Sequence, residues 1–283
     1  MNEQHPGSGR ETRNEHSGRV ALVTGAPGGI GRAVAELLAE QGATVAVNSE
    51  DPAAAADVAE RITKSGGRAV TAVADVTDAA ALHHAVEDVV QRLGRLDILV
   101  TCAGIQRYGT VSTTSEQLWD EVFAVNVKGT FLATRAAMPH LRRSGSGAVV
   151  IVSSVQASVA QTNVVAYSAS KGALNAFARA VAVDEARYGV RVNVISPGSV
   201  DTPMLRASAE LFGGPAGVGP TLAAWGSAHP LGRIGRPREI AQAVSFLASE
   251  RASFITGEDL RVDGGLLAAV AVVLPDADAS QGG

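Results

Sequence analysis

Two periods alternate along the chain. Short β-branched runs stand at "VALVT" (20–24), "ATVAVN" (43–48), "AVTAVA" (69–74), "DILVT" (97–101), "AVVIVS" (148–153) and "VRVNVI" (190–195). Between them lie longer segments with helical spacing, such as "GRAVAELLAEQG" (31–42) and "AALHHAVEDVVQRLG" (80–94). Runs that are apolar on both faces and joined through helices predict a parallel sheet covered on both sides, an α/β doubly wound fold with right-handed crossovers. No linker-like stretch divides this body, and no solenoid repeat is present. The rhythm breaks once, at "PMLRASAELFGGPAGVGPTLAAWGSAHP" (203–230). Two short helical pieces around a Gly/Pro-rich centre predict a lid.

Composition narrows the class. The 283 residues are 46% hydrophobic, ample for a core, and the net charge of −4 offers no general attraction to nucleic acid or an anionic membrane. One cysteine, Cys102, excludes an intramolecular disulfide and suits a reducing compartment. Residues 1–18 are polar, lack the apolar centre of a signal peptide and are expected to form a mobile tail. The stretch "LLAAVAVVL" (266–274) is short of the roughly 20 apolar residues that a membrane helix needs. The expectation is a soluble cytoplasmic protein with neither nucleic-acid nor membrane partners.

Candidate chemistry starts where the first strand runs into "TGAPGGIG" (24–31) and then a helix. In that context Gly25 permits a tight turn, while Gly29 and Gly31 allow close backbone approach to a pyrophosphate held by helix N-terminal amides. No Lys-Ser/Thr pair follows, which excludes a P-loop NTPase. Further along, Tyr167 and Lys171 in "AYSASKGAL" stand four residues apart, hence on one helical face. A free phenol titrates near pH 10, and an adjacent ammonium favours its phenolate, so the pair is expected to form a base.

The Gly-x-x-x-Gly-x-Gly spacing resembles the short-chain dehydrogenase/reductase (SDR) family, and other motifs agree in order: "DVTD" (75–78), "CAG" (102–104), "NVKG" (126–129), Ser154 thirteen residues before Tyr167, "SPG" (196–198) with Thr202, and "VDGG" (262–265). The resemblance runs from about Arg19 to Gly265. It implies a single Rossmann-type catalytic domain over 19–265 with about seven strands, a lid near 203–230 and a C-terminal extension at 266–283. It implies NAD(P)-dependent interconversion of a secondary alcohol and a ketone. Tyr167 would exchange the alcohol proton, Lys171 would lower the tyrosine pKa and hold the nicotinamide ribose, Ser154 would bond the substrate oxygen, and Asn126 would place a relay water. Gly25, Gly28, Gly29, Ile30, Gly31, Ser49, Asp75, Val76, Ala103, Gly104, Pro197, Gly198, Val200 and Thr202 would line the cofactor with Tyr167 and Lys171. Ser154, Gln156 and Tyr167 would meet the substrate. No metal is implied, and a homotetramer is common in the family.

Within that frame, the corner "VNSEDP" places Ser49, Glu50 and Asp51 where an NADP enzyme carries a basic residue, so NAD is favoured and NADP stays open. Asp75 either meets adenine or caps a turn. The chain departs from the family at Thr101 and Cys102, which replace a pair of asparagines, and at Pro27, which removes a loop donor. Cys102 reads as a small packing residue. Gln106, Gln156, Gln161 and Asn163 near the mouth suit a sugar or polyol, toward which the reading leans; Leu205, Phe212 and Trp225 suit an apolar ketone, a steroid or a 3-oxoacyl thioester. A dinucleotide sensor without chemistry is the reading from another class.

Overall fold

The computed structural model describes residues 14–269. Among them, seven strands form one parallel sheet: β1 (Val20–Thr24), β2 (Thr44–Ser49), β3 (Arg68–Val73), β4 (Ile98–Thr101), β5 (Ala148–Val152), β6 (Arg191–Pro197) and β7 (Asp259–Val262). The helices are α1 (Gly29–Glu40), α2 (Pro52–Lys64), α3 (Ala79–Leu93), α4 (Glu116–Phe123), α5 (Gly129–Ser144), α6 (Val165–Glu185), α7 (Pro203–Phe212), α8 (Val218–Ser227) and α9 (Pro237–Ala248). Strand order is β3-β2-β1-β4-β5-β6-β7. The doubly wound fold expected from the alternation is therefore present.

Strand alternation builds two cores. Val23, Val45, Val47, Ile98, Val100 and Val150 pack with Val34, Leu38, Val58 and Val244 from α1, α2 and α9. On the other face, Leu22, Leu99, Val149, Ile151 and Val194 meet Val86, Leu132, Leu141 and Leu174 from α3, α5 and α6. Both faces are dry, which is why the runs carry no polar alternation. Helix ends follow local chemistry. Asp51 caps α2 by accepting from Ala53 N, with Pro52 at the first helical position. Asp78 caps α3, which Gly94 ends in the left-handed region.

The order reverses between β1 and β4, so connections leave this point toward opposite ends of the sheet. That opens a crevice at the carboxyl ends of the strands, the place for a ligand in such folds.

The polar tail is shorter than expected. His16 is fully buried, with Nε2 3.0 Å from Ser245 Oγ, and its backbone N–H donates to Gln41 O at 2.9 Å. Residues 14–18 thus belong to the body. A histidine buried through hydrogen bonds leaves no apolar signature, so composition concealed it. The remainder of the tail (1–13) and residues 270–283, including most of "LLAAVAVVL", lie outside the described residues.

Candidate active site

At the end of β1 the glycines answer to steric need. Gly25 has φ +62°, and a Cβ there would lie 2.7 Å from Ala103 Cα in the turn leaving β4. On Gly31 a Cβ would stand 2.3 Å from Gly25 O, so the helix packs directly on the loop. Gly29 admits a different neighbour: its Cβ would fall 2.7 Å from Thr202 Cγ2, the residue that caps the lid helix α7. The N-cap of α1 is Gly28, which supplies no side-chain acceptor, and no acidic residue stands in the first turn. Gly28 N donates to Gly25 O at 3.2 Å. Ile30 and Gly31 line the cleft beside Gly25, Gly28 and Gly29. Helix amides without a capping side chain or a local carboxylate fit an anion.

The cleft measures about 610 Å³ and also takes in Ala103, Gly104, Ser154, Gln156, Tyr167, Lys171, Pro197, Gly198, Val200 and Thr202. These expected residues converge from β1, β4, β5, α6 and β6. Ser49, Asp75 and Val76 do not line it. Ser49 ends β2, and its hydroxyl accepts from Asp51 N at 3.1 Å. Asp75 is exposed and bonds Thr77 N at 2.8 Å, a local turn use. Val76 is buried against Gly129. Glu50 and Asp51 are exposed, and Asp51 is engaged in its cap.

Tyr167, Lys171 and Ser154 are all buried, at 8%, 5% and 9% exposure. Lys171 Nζ donates to Val152 O at 3.0 Å and lies 5.5 Å from the Tyr167 ring centroid. Ser153 uses its hydroxyl on the Lys171 carbonyl at 3.1 Å, whereas Ser154 Oγ caps the turn after β5 by accepting from Gln156 N. The electrostatics depart from expectation. Burial pushes the Tyr167 phenol up to about 12, against a side-chain hydrogen bond with Ser154 that pulls it down. Burial also lowers Lys171 to about 8. Burial thus works against the charged form of both groups, and opposes the stabilisation of phenolate by ammonium that the spacing suggested.

Asn126 sits behind the cleft, in a π-helical turn (Ala124–Lys128) between α4 and α5 that turns its side chain fully inward. Its Oδ1 accepts from Ile105 N at 2.8 Å, and its Nδ2 donates to Ile105 O and Ser170 Oγ, both at 3.0 Å. A Cβ on Gly104 would lie 3.3 Å from Asn126 Oδ1 and 3.7 Å from Lys171 Nζ, so the two are neighbours across that glycine. Where an asparagine pair was missing, the Thr24 hydroxyl accepts from Cys102 N and Ala103 N at 3.2 and 3.3 Å. Burial pushes the Cys102 thiol up to about 12, in keeping with a packing role.

At the mouth, Gln106, Gln156, Gln161, Leu205 and Trp225 line the cleft as expected. Asn163 does not: it adopts φ +62° and its carbonyl accepts from Gly109 N at 2.7 Å. Phe212 packs edge-on against Tyr108, 4.6 Å between centroids, outside the lining. Val155, Val159, Met204, Ser208, Leu266 and Leu267 were not singled out for the substrate, and all line the cleft, as does His229 at the end of the lid. Met204 and Ser208 had a usable signal, four apart on a lid helix. Leu266 and Leu267 had none, because only the turn at Gly264 and Gly265 folds them back. Among the described residues no group of three His, Cys, Asp or Glu side chains is placed to hold a metal, and no helix is long and apolar enough to cross a membrane.

A family model described as enoyl-(acyl carrier protein) reductase matches residues 25–267. The chain is 40% identical to a cis-4-hydroxycyclohexanecarboxylate dehydrogenase from Sinomonas cyclohexanicum, over 88% of this chain and 97% of that one. It is 39% identical to a cyclopentanol dehydrogenase from a Comamonas species, with the same coverage of 88% and 97%. A gluconate 5-dehydrogenase from Burkholderia cenocepacia, solved with NADP and tartrate, superposes with a TM-score of 0.85 at 34% identity, covering 92% of this chain and all of that one. With its glycine turn, serine, tyrosine and lysine drawn into one cleft of a doubly wound sheet, the chain belongs to the short-chain dehydrogenase/reductase family of oxidoreductases.

Proposed function

We propose that this protein interconverts a small, uncharged alicyclic secondary alcohol and its ketone, with NAD as the hydride carrier. The observation that carries the reading is the apolar lining that shares the cleft with Tyr167: Val155, Val159, Met204, Leu205, Trp225, Leu266 and Leu267. Among the described lining residues Lys171 is the only lysine or arginine, which disfavours a carboxylate or phosphate substrate. The uncharged ring alcohol named for the cyclopentanol dehydrogenase supports this class, and the hydroxycyclohexanecarboxylate named for another relative supports the alicyclic ring alone. The sugar reading retains the glutamines at 106, 156 and 161 and the likeness to a gluconate 5-dehydrogenase.

The uncapped N-terminus of α1 fits a pyrophosphate, and the acidic corner at Glu50 and Asp51 repels a ribose phosphate. When bound, the oxidised nicotinamide supplies a hydride acceptor and a positive charge. Ser154 donates a hydrogen bond to the alcohol oxygen. Tyr167 accepts the hydroxyl proton, and Lys171 holds ribose hydroxyls as an ammonium, which favours the phenolate. Asn126, fixed by Ile105 and Ser170, anchors the wall beside Lys171 where a relay water would sit. The lid closes over the pair and excludes water. The assembly expected is a homotetramer.

The test is a panel of cyclopentanol, cyclohexanol, an aldohexose and a 3-oxoacyl thioester with NAD(H) and NADP(H), followed at the NADH absorbance. Turnover of the cycloalkanols with NAD supports the reading; turnover confined to the thioester or the sugar overturns the substrate class. Tyr167→Phe should abolish turnover and leave NADH binding within a factor of about two, a separation that a sensor without chemistry would not give.

A further inference from the structure

His229 is buried at 3% exposure, lines the cleft, and takes no part in the relay above. It follows the lid helix α8 by two residues. Both ring nitrogens are engaged: Nδ1 lies 3.0 Å from Trp225 O, and Nε2 lies 3.2 Å from Ser199 N. A carbonyl only accepts and a backbone amide only donates. Nδ1 therefore carries the proton, Nε2 offers its lone pair, and the ring is neutral. Gly198 fits directly beneath: a Cβ there would stand 2.9 Å from His229 Nε2 and 3.0 Å from Asp263 Cα. The imidazole thus joins the lid, the turn leaving β6 and the chain leaving β7.

We propose that His229 is a positioning residue: a neutral latch that holds the Gly198–Ser199–Val200 turn against the lid and so shapes the nicotinamide end of the cleft. The inference rests on the dinucleotide reading above. The groups facing the imidazole are few. Asp263 comes from the chain after β7, its carboxylate already accepting from Gly265 N and Leu267 N at 3.0 and 2.9 Å. Lys171 is the charged group lining the same cleft. The segments at Gly198–Ser199, Trp225 and Leu231–Gly232 bring no ionisable side chain.

NADH fluorescence titrations on the wild-type chain, His229→Leu and His229→Gln test the latch. The glutamine oxygen can take the Nε2 position and accept from Ser199 N. His229→Leu should weaken NADH binding about tenfold, because it strands a buried amide. His229→Gln should restore affinity to within about threefold of wild type. NADH binding by His229→Leu equal to wild type, or binding by His229→Gln as weak as that of His229→Leu, overturns the proposal. Should His229→Leu fail to give a cooperative melt, the comparison of wild type with His229→Gln decides alone. A wild-type chain that binds neither NADH nor NADPH overturns the dinucleotide reading and the latch with it, whereas normal wild-type binding with unaffected variants removes only the latch.

Discussion

Lys171→Met removes the cation beside the proposed base and leaves an unbranched side chain in its slot. Nζ stands 5.5 Å from the Tyr167 ring centroid. A unit charge at that range, in an effective dielectric of about 20, contributes about 3 kcal/mol, or about two pKa units. The cation favours phenolate, so its loss raises the phenol pKa, and alcohol oxidation needs the phenolate. The acid limb of kcat/KM for oxidation should therefore move up by about two pH units, with a loss that approaches about 100-fold at pH values below the wild-type limb. Stability should move the other way. The folded chain holds Lys171 at about 8, below its ordinary 10.5. Its charged form is thus penalised below pH 8, by at most about 3 kcal/mol, and the penalty fades as pH rises from 8 to 10.5. Near pH 7 the variant should melt higher than wild type, less what is lost when Val152 O gives up its donor. Initial NADH formation at saturating NAD across the pH range, with melting curves alongside, reads both effects. An acid limb that stays in place while kcat/KM falls would refute the electrostatic argument and leave Lys171 only a ribose contact.

Gly25→Ala should destabilise the chain by about 2–4 kcal/mol, since its Cβ meets Ala103 Cα at 2.7 Å in a left-handed backbone; a melting temperature within 2 °C or so of wild type would contradict the packing. The wild-type chain should bind NADH more tightly than NADPH, and Glu50→Arg should narrow that gap by about tenfold in parallel titrations, because it replaces a repulsive charge with a phosphate partner. Burial holds His16 down at about 4 from an ordinary 6.5. Its contribution to stability is full above pH 6.5 and is lost as pH falls toward 4, amounting to about 2 kcal/mol by pH 5; urea titrations at pH 7 and 5 should show that loss in wild type and not in His16→Gln.

Much of the fold is legible because burying both sheet faces demands unbroken apolar runs, which mark β1, β2, β4, β5 and β6; β3, at one edge, keeps an apolar run although it is only partly buried. The seventh strand escapes that logic. β7 has Asp259 and Arg261 among its four residues, and as an edge strand it is only half-buried or exposed. The glycine turn is legible for a related reason: no side chain fits where Gly25 passes Ala103. What stays hidden is set by distant packing. Leu266 and Leu267 reach the cleft only through the turn at Gly264 and Gly265, and His229 meets Ser199 from thirty residues away.

The Tyr–Lys spacing shows why position and energetics part company. Four residues of helix place phenol and ammonium together whatever surrounds them, so their identity can be read from the letters. Their charge states cannot, because burial acts on each group separately and with opposite sign: it raises the acid Tyr167 to about 12 and lowers the base Lys171 to about 8. In the chain alone burial therefore disfavours both the phenolate and the ammonium. On the proposed reading, the positive nicotinamide favours the phenolate of Tyr167, and ribose hydroxyls that accept from Lys171 favour its ammonium. Proton abstraction then becomes competent only when the hydride acceptor is in place, and the same burial that weakens the free pair is what ties its chemistry to cofactor binding.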